Sequence, residues 1–224
     1  MKIAIDGPSG AGKSTISKLL ANKLEFVYID TGAMYRAIGL CALDRGYNTK
    51  SDVDDIVKML DDVEVKIVCG ALRQEVFLNE ENITDKIRTP EVSIAASDVA
   101  VIPQVRLKLV EMQRNLAEGN NVIMDGRDIG TYVLPDAEIK IYLTASAESR
   151  AKRRYDELIE KGINTTLEEV LTDVIMRDKN DSEREFSPLK IAEDATVIDT
   201  TEYNLEESVK LIENFITQEM ESKC

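Results

Sequence analysis

Apolar positions in this chain come as short runs separated by stretches of helical periodicity. Five runs, at residues 2–6, 27–30, 121–125, 139–144 and 196–199, have the length and β-branched content of buried strands. Between them, apolar residues recur every three or four positions and predict helices over 13–24, 33–45, 51–61, 103–118, 147–160, 167–178 and 204–221. Ser51 and the Thr165/Thr166 pair stand at helix starts with acids following in the first turn, as N-caps do. The alternation reads as βα units on a parallel sheet flanked by helices. One stretch departs from it. Val63-Glu64-Val65-Lys66-Ile67-Val68 alternates with period two, a turn is expected at Cys69-Gly70-Ala71, and Glu75-Val76-Phe77-Leu78 follows. A second turn at 79–82 leads to Ile83-Thr84, so a small antiparallel insert is predicted, too short for a core of its own and therefore docked on the main body.

Length and composition add bounds. The 224 residues suit one α/β domain with an inserted lobe, and 43% hydrophobic content allows a sizeable core. No apolar run approaches the ~20 residues of a membrane helix. Asp6 and Gly7 break the first apolar run at once, unlike a signal peptide. Cys41, Cys69 and Cys224 are too few and too scattered for a disulfide framework or a zinc site, which points to a reducing, cytoplasmic setting. The net charge of −14 argues against a nucleic-acid polymer as partner, though a pocket can still be locally cationic. Histidine is absent, which excludes Ser-His and Cys-His nucleophiles and histidine-ligated metals.

The strongest local pattern is Gly7-Pro8-Ser9-Gly10-Ala11-Gly12-Lys13-Ser14-Thr15. It has the spacing G-x-x-x-x-G-K-[ST], with a predicted strand before it and a predicted helix after it. Backbone N–H groups of such a loop curl around an anion, and the helix aims its positive dipole end at the same place. Lys13 can reach the β- and γ-phosphates of a nucleoside triphosphate, and the Ser14 hydroxyl can ligate Mg²⁺. A nucleoside triphosphate and Mg²⁺ are therefore the expected co-substrate and metal.

Other candidate groups cluster at strand exits, where open α/β sheets bind ligands. The third strand closes on Asp125-Gly126-Arg127-Asp128. Asp125 can hold a Mg²⁺-bound water or cap the next turn. Arg127 and Asp128 can form a surface ion pair. Alternatively, Arg127 offers a fork for a phosphate, and Asp128 can accept from the exocyclic amine of cytosine, where uracil has an acceptor oxygen. The second strand ends on Asp30-Thr31-Gly32, placing Arg36 on the first turn of the next helix, either solvated or against a phosphate. Arg150, Lys152, Arg153 and Arg154 read as a solvated helix face with nucleotide contacts possible at its inner edge. The mixed-charge run from Arg177 to Arg184 interrupts a helical pattern and reads as a solvated loop or as a mobile cover carrying arginines over transferring phosphates.

Together these landmarks carry a resemblance. IAIDGPSGAGKST, YIDTGAMYRA, IRTPEVSIAASDVA, PQVR, DGRDIG, RDKNDSER and SPLKIAEDA occur in the order found in the bacterial cytidylate kinases, a nucleoside monophosphate kinase family, over nearly the whole chain. The chain departs from the family slightly at Tyr132-Val133-Leu134, an apolar strand lead. The resemblance implies a P-loop NTPase-type fold: a five-stranded parallel sheet, a monophosphate-binding insert near residues 62–97, and a short lid near 150–186. It implies ATP-dependent phosphorylation of CMP and dCMP; a monomer is expected, with no nucleic acid or membrane as partner, as charge and hydropathy already indicate. It also implies a substrate pocket of Thr31, Arg36, Ser97, Arg106, Arg127, Asp128, Arg177, Asp181 and Arg184. Within it, Ser97 and Asp181 would face the sugar, Asp128 and Arg106 the base, and Arg36, Arg127 and Arg177 the acceptor phosphate. Lys13, Arg127, Arg177 and Arg184 would carry the catalysis.

A kinase of a sugar, of shikimate or of dephospho-coenzyme A would share the loop, but its hydroxyl acceptor usually needs a base, and the arginine-rich acceptor side suits a phosphate. A guanine-reading N-K-x-D motif is lacking, which argues against a GTPase switch. A non-catalytic nucleotide binder remains the third alternative.

Overall fold

A computed structural model describes residues 1–69 and 74–222; the expected turn residues Gly70 and Ala71, and Cys224, lie outside the described residues. Five parallel strands form the central sheet: β1 (Lys2–Asp6), β2 (Val27–Asp30), β6 (Val122–Gly126), β7 (Ile139–Thr144) and β8 (Thr196–Asp199), in the order β2-β6-β1-β7-β8. The order reverses direction at β1, so the crevice between the exits of β1 and β6 is the topological switch point where ligands bind in such sheets. Ile3, Ile5, Ile139 and Ile141 are buried, as strands covered on both faces require. Helix α1 (Lys13–Leu24) follows the glycine-rich loop and buries Ile16 and Leu20, four apart, against the sheet with Ile212 and Ile216 of α8 (Leu205–Ser222).

The second sheet is antiparallel and comprises β3 (Val65–Cys69), β4 (Gln74–Leu78) and the two-residue β5 (Glu81–Asn82). Strand β5 lies where a turn was expected, and Ile83-Thr84 comes after it. The turn itself needs only Asn79 and Glu80, both at positive φ (45° and 70°), as a tight two-residue hairpin demands. The insert shares its core with the main body. Val65, Ile67, Val76 and Ile83 pack in one cluster with α2 (Thr31–Asp44), α3 (Val53–Met59) and α4 (Pro90–Val99). Gly39 lets α2 and α4 cross closely, because a Cβ there would stand 2.9 Å from the Ala96 backbone nitrogen.

Four expectations are corrected. Helix α4 was absent from the prediction, although Thr89 caps it, Pro90 opens it, and Val92, Ala95, Ala96 and Val99 form its apolar stripe. Ser51 does not cap α3: the preceding residue is Asp52, and the Ser51 hydroxyl donates to its carboxylate. Residues 129–133 coil into a π-type turn instead of leading into a strand. Most consequentially, the Arg177–Arg184 run is helical through Glu183 in α7 (Leu167–Glu183), which Thr166 opens with a full capping box. Its charges have partners along and across the helix, Lys179 with Glu183 and Asp178 with Arg150, so the mixed charge supports the helix. Helices α6 (Ala147–Glu160) and α7 pack on each other through their own cluster of Ala151, Leu158, Val170 and Val174.

Candidate active site

A cleft of about 820 Å³ runs along the exits of β1 and β6, within the usual range for small-molecule sites. Every expected site residue lines it except Gly7 and Pro8, which form the root of the loop. Nine of its lining residues are Lys or Arg and six are Asp or Glu, so the cleft is locally cationic in a chain of net charge −14.

The loop owes its shape to glycine. Gly7, Gly10 and Gly12 have φ of 147°, 76° and 86°, and a Cβ on Gly7 would lie 2.0 Å from the Leu143 carbonyl oxygen. Gly12 gives α1 no side-chain cap, and no acid stands in its first turn. The amino end of α1 is therefore left open for an external anion. Helix α2 contrasts with it: the Asp30 carboxylate already accepts from the Ala33 N–H, so that helix end is occupied. Arg36 falls on the second turn of α2, because that helix starts two residues earlier than expected, and it donates to Asp30 at 2.8 Å. Arg88 shares the same carboxylate at 3.4 Å. Burial opposes ionisation of Asp30, but the two arginines outweigh it and hold the carboxyl below the ordinary range.

Lys13 is buried, with Nζ donating to the Pro8 carbonyl at 2.7 Å. Burial and then the charge of Arg127 lower its ammonium to about 7. Ser14 Oγ donates to Asp125 Oδ2, and the Tyr28 hydroxyl donates to Asp125 Oδ1, each at 2.8 Å. Asp125 thus faces the loop hydroxyl, with its carboxyl raised to about 6, chiefly by burial and next by the charge of Asp30.

Arg127 and Asp128 do not pair with each other. Arg127 Nε donates to Asp181 of α7 at 2.6 Å. Asp128 pairs with Arg106 of α5 (Pro103–Ala117) and with Arg184, and it also accepts from Ser187 Oγ at 2.6 Å. Arg106 is 1% exposed and lies over the Tyr35 ring at 5.4 Å, so a cation with almost no water depends on Asp128. Arg177 spans the cleft, donating to the Ser93 carbonyl of α4 at 3.0 Å and to Ser9 Oγ of the loop at 3.4 Å. Thr31 is less available: its hydroxyl donates to the Asp125 carbonyl.

Sequence reasoning missed several groups. Arg150 is not on a solvated face. It is buried, donates to the Ser9 carbonyl and grips Asp178 with both guanidinium arms, at 3.0 and 2.6 Å. Tyr35, Arg88, Ser93, Tyr203 and Asn204 line the cleft as well, and Arg153 lines it from the inner edge of α6, where nucleotide contacts are expected. Asp30 could have been found from its place at a strand exit. Asp6 was missed for the same reason that makes it useful: its two carboxylate oxygens accept from the Ile129 and Gly130 N–H groups at 2.8 and 2.7 Å, tying the loop root to the turn after Asp128. Burial pushes Asp6 up to about 6 from 3.8, against those hydrogen bonds. The unfolded chain releases this proton near pH 4 and the folded one near pH 6. Stability from this group is therefore full below about pH 4 and lost as pH rises through 6. Relative to Asp6→Asn, the wild-type chain should lose about 2 kcal/mol of unfolding free energy between pH 4.5 and 7.5. Urea denaturation at both pH values measures this, and parallel curves for the two proteins would contradict it.

Among the described residues no helix is long and apolar enough to cross a membrane, and no cluster of three His, Cys, Asp or Glu residues could hold a metal. A family model described as Cytidylate kinase matches residues 3–218. A cytidylate kinase of Caldicellulosiruptor saccharolyticus is 57% identical, covering 96% of this chain and 95% of its own. One of Halalkalibacterium halodurans is 47% identical, covering 97% and 98%. A crystal structure of an uncharacterized protein from Eubacterium ventriosum shares the fold with a TM-score of 0.51 at 14% identity, covering 97% of this chain and 98% of that one.

Proposed function

The chain belongs to the cytidylate kinase family, and on that premise we propose that it transfers the γ-phosphoryl group of ATP to CMP and dCMP, giving ADP and CDP or dCDP. The observation that carries this reading is the continuity of one cationic cleft from the open amino end of α1 to the arginines around Asp128. Two phosphate-bearing ligands can meet there end to end.

The loop from Gly7 to Thr15 holds the ATP phosphates through its N–H groups and Lys13. The acceptor is a phosphate oxygen whose second pKa is ~6, so at neutral pH it is already nucleophilic and needs no general base. A chain without histidine can therefore do this chemistry. Arg36, Arg127 and Arg177 hold the acceptor phosphate, and Ser97 and Asp181 face its sugar. Arg106 and Asp128 read the base. Arg127, Arg177, Arg184 and Lys13 offset the charge that develops during transfer. Arg177 and Arg127 now rest on a carbonyl and on Asp181, contacts that a phosphate can replace.

Mg²⁺ fits the loop. The Ser14 hydroxyl and the Asp125 carboxylate are hard oxygen donors 2.8 Å apart, and Mg²⁺ on nucleotides is held mostly by phosphates and water. Ser14 would ligate it directly and Asp125 through a water; when bound, the ion screens the phosphate charge. Residues 62–97 form the monophosphate side, and 150–186 act as a lid that closes to exclude water, which would otherwise drain ATP by hydrolysis. The mutual packing of α6 and α7 supports movement as a unit. The reading extends to a monomer acting in the cytoplasm, the setting to which the scattered cysteines point. Phosphorus NMR of a reaction with ATP and CMP tests the reading. ADP and CDP should appear in equal amounts, and orthophosphate without CDP would overturn it.

A further inference from the structure

The geometry points to Ser187 as a positioning residue for base selection, acting through Asp128; this rests on the reading of Asp128 as the group that faces the base. Ser187 does not line the cleft. It is one of four non-glycine residues at positive φ among those described, with φ 53°. Glu25 closes α1, and Asn79 and Glu80 make the β4–β5 turn. Ser187 stands in the bend that follows α7, where the Leu189 N–H donates to the Asp181 carbonyl at 2.7 Å, and a left-handed serine is kept only where its surroundings over-determine it. Those surroundings are visible. Its carbonyl accepts from Arg184 Nε at 2.6 Å, and Phe186 stands edge-on to Tyr132 with ring centroids 5.3 Å apart.

What that conformation accomplishes is to aim the hydroxyl at Asp128 Oδ2 at 2.6 Å. The same oxygen accepts from Arg106 Nη2, so Oδ2 is filled. Among the described residues Oδ1 accepts no hydrogen bond; Arg184 Nη2 lies 3.4 Å from it, and that buried guanidinium nitrogen makes no hydrogen bond either. A carboxylate oxygen with room to accept therefore sits beside a buried donor with nothing to give to. Cytosine presents the complement, an amine donor next to a ring-nitrogen acceptor. Uracil reverses both groups and would leave each one facing its like. Without the Ser187 hydroxyl, the carboxylate is free to rotate and turn both oxygens toward its two arginines, which closes the acceptor position.

Ser187→Gly removes the hydroxyl while suiting the left-handed backbone, and Ser187→Ala removes it with the strain retained. The expected result for both is a KM for CMP raised about 10-fold, as for loss of one hydrogen bond to a charged group. KM for UMP should not rise, and kcat and the Kd for ATP should stay within about two-fold. In an Asp128→Asn background, Ser187→Gly should change the CMP-to-UMP ratio by less than about two-fold, since the two act as a unit. An equal rise in KM for CMP and UMP would overturn the inference, because it marks a general structural role. An unchanged ratio in Ser187→Gly, with a shifted ratio in Asp128→Asn, would overturn the inference and leave the base reading standing. Unchanged ratios in both would overturn the base reading as well.

Discussion

Lys13→Met is expected to lower kcat by about 10³-fold without lowering the melting temperature. The two halves of that expectation come from one position. Lys13 is buried at the loop, and its nearest partner is the neutral Pro8 carbonyl. Folding therefore works against its charge, as the drop of its ammonium to about 7 shows. Methionine keeps the volume and removes the buried cation, so the fold should gain or hold stability. Catalysis should suffer in the opposite sense. Among the described residues no other lysine lines the cleft, and in this reading the acceptor phosphate engages Arg36, Arg127 and Arg177 while Asp128 engages Arg106 and Arg184. Steady-state rates with a melting curve on the same sample check both halves. Activity within ten-fold of wild type, in a folded variant, would remove Lys13 from the phosphate-binding role.

Asp128→Asn should move base preference from CMP toward UMP by about 10³-fold in the ratio of kcat/KM. Asparagine is nearly isosteric, so the site should keep its shape. Arg106 and Ser187 both present donors to Oδ2, so the amide oxygen will settle on their side. The amide N–H₂ then faces the base, where it repels the cytosine amine and donates to the uracil carbonyl. Stability should fall, since Arg106 and Arg184 are both buried and lose a full counter-charge. ATP affinity should hold, because Asp128 makes no contact with the loop. A CMP-to-UMP ratio that does not change would exclude Asp128 as the base reader.

The sheet and the glycine-rich loop were legible because their signals are local. A strand of four or five residues, the spacing Gly7 to Ser14 and the exit of Asp125 to Asp128 each lie within a few positions. Partners were not legible. Arg127 and Asp128 are adjacent and opposite in sign, yet successive side chains at a strand exit point to different sides. Each therefore finds its partner far along the chain, at Asp181 and at Arg106, Arg184 and Ser187. Arg150 reads as solvated because two of its partners, the Ser9 carbonyl of the loop and Asp178 of α7, lie far from it along the chain. Mixed charge looks the same in a solvated loop and in a helix whose charges pair across a cleft. Helix α4 is a different case: its Thr-Pro start and apolar stripe are local signals that stand in the sequence itself.

The central claim is that the acceptor is a cytidine monophosphate, and ADP release from MgATP across a panel of acceptors tests it most directly. CMP and dCMP should support rapid release, UMP slower release, and AMP, GMP and shikimate none above the acceptor-free rate. Turnover with shikimate, or ADP release that ignores the acceptor, would contradict the account while leaving the loop as a nucleotide site.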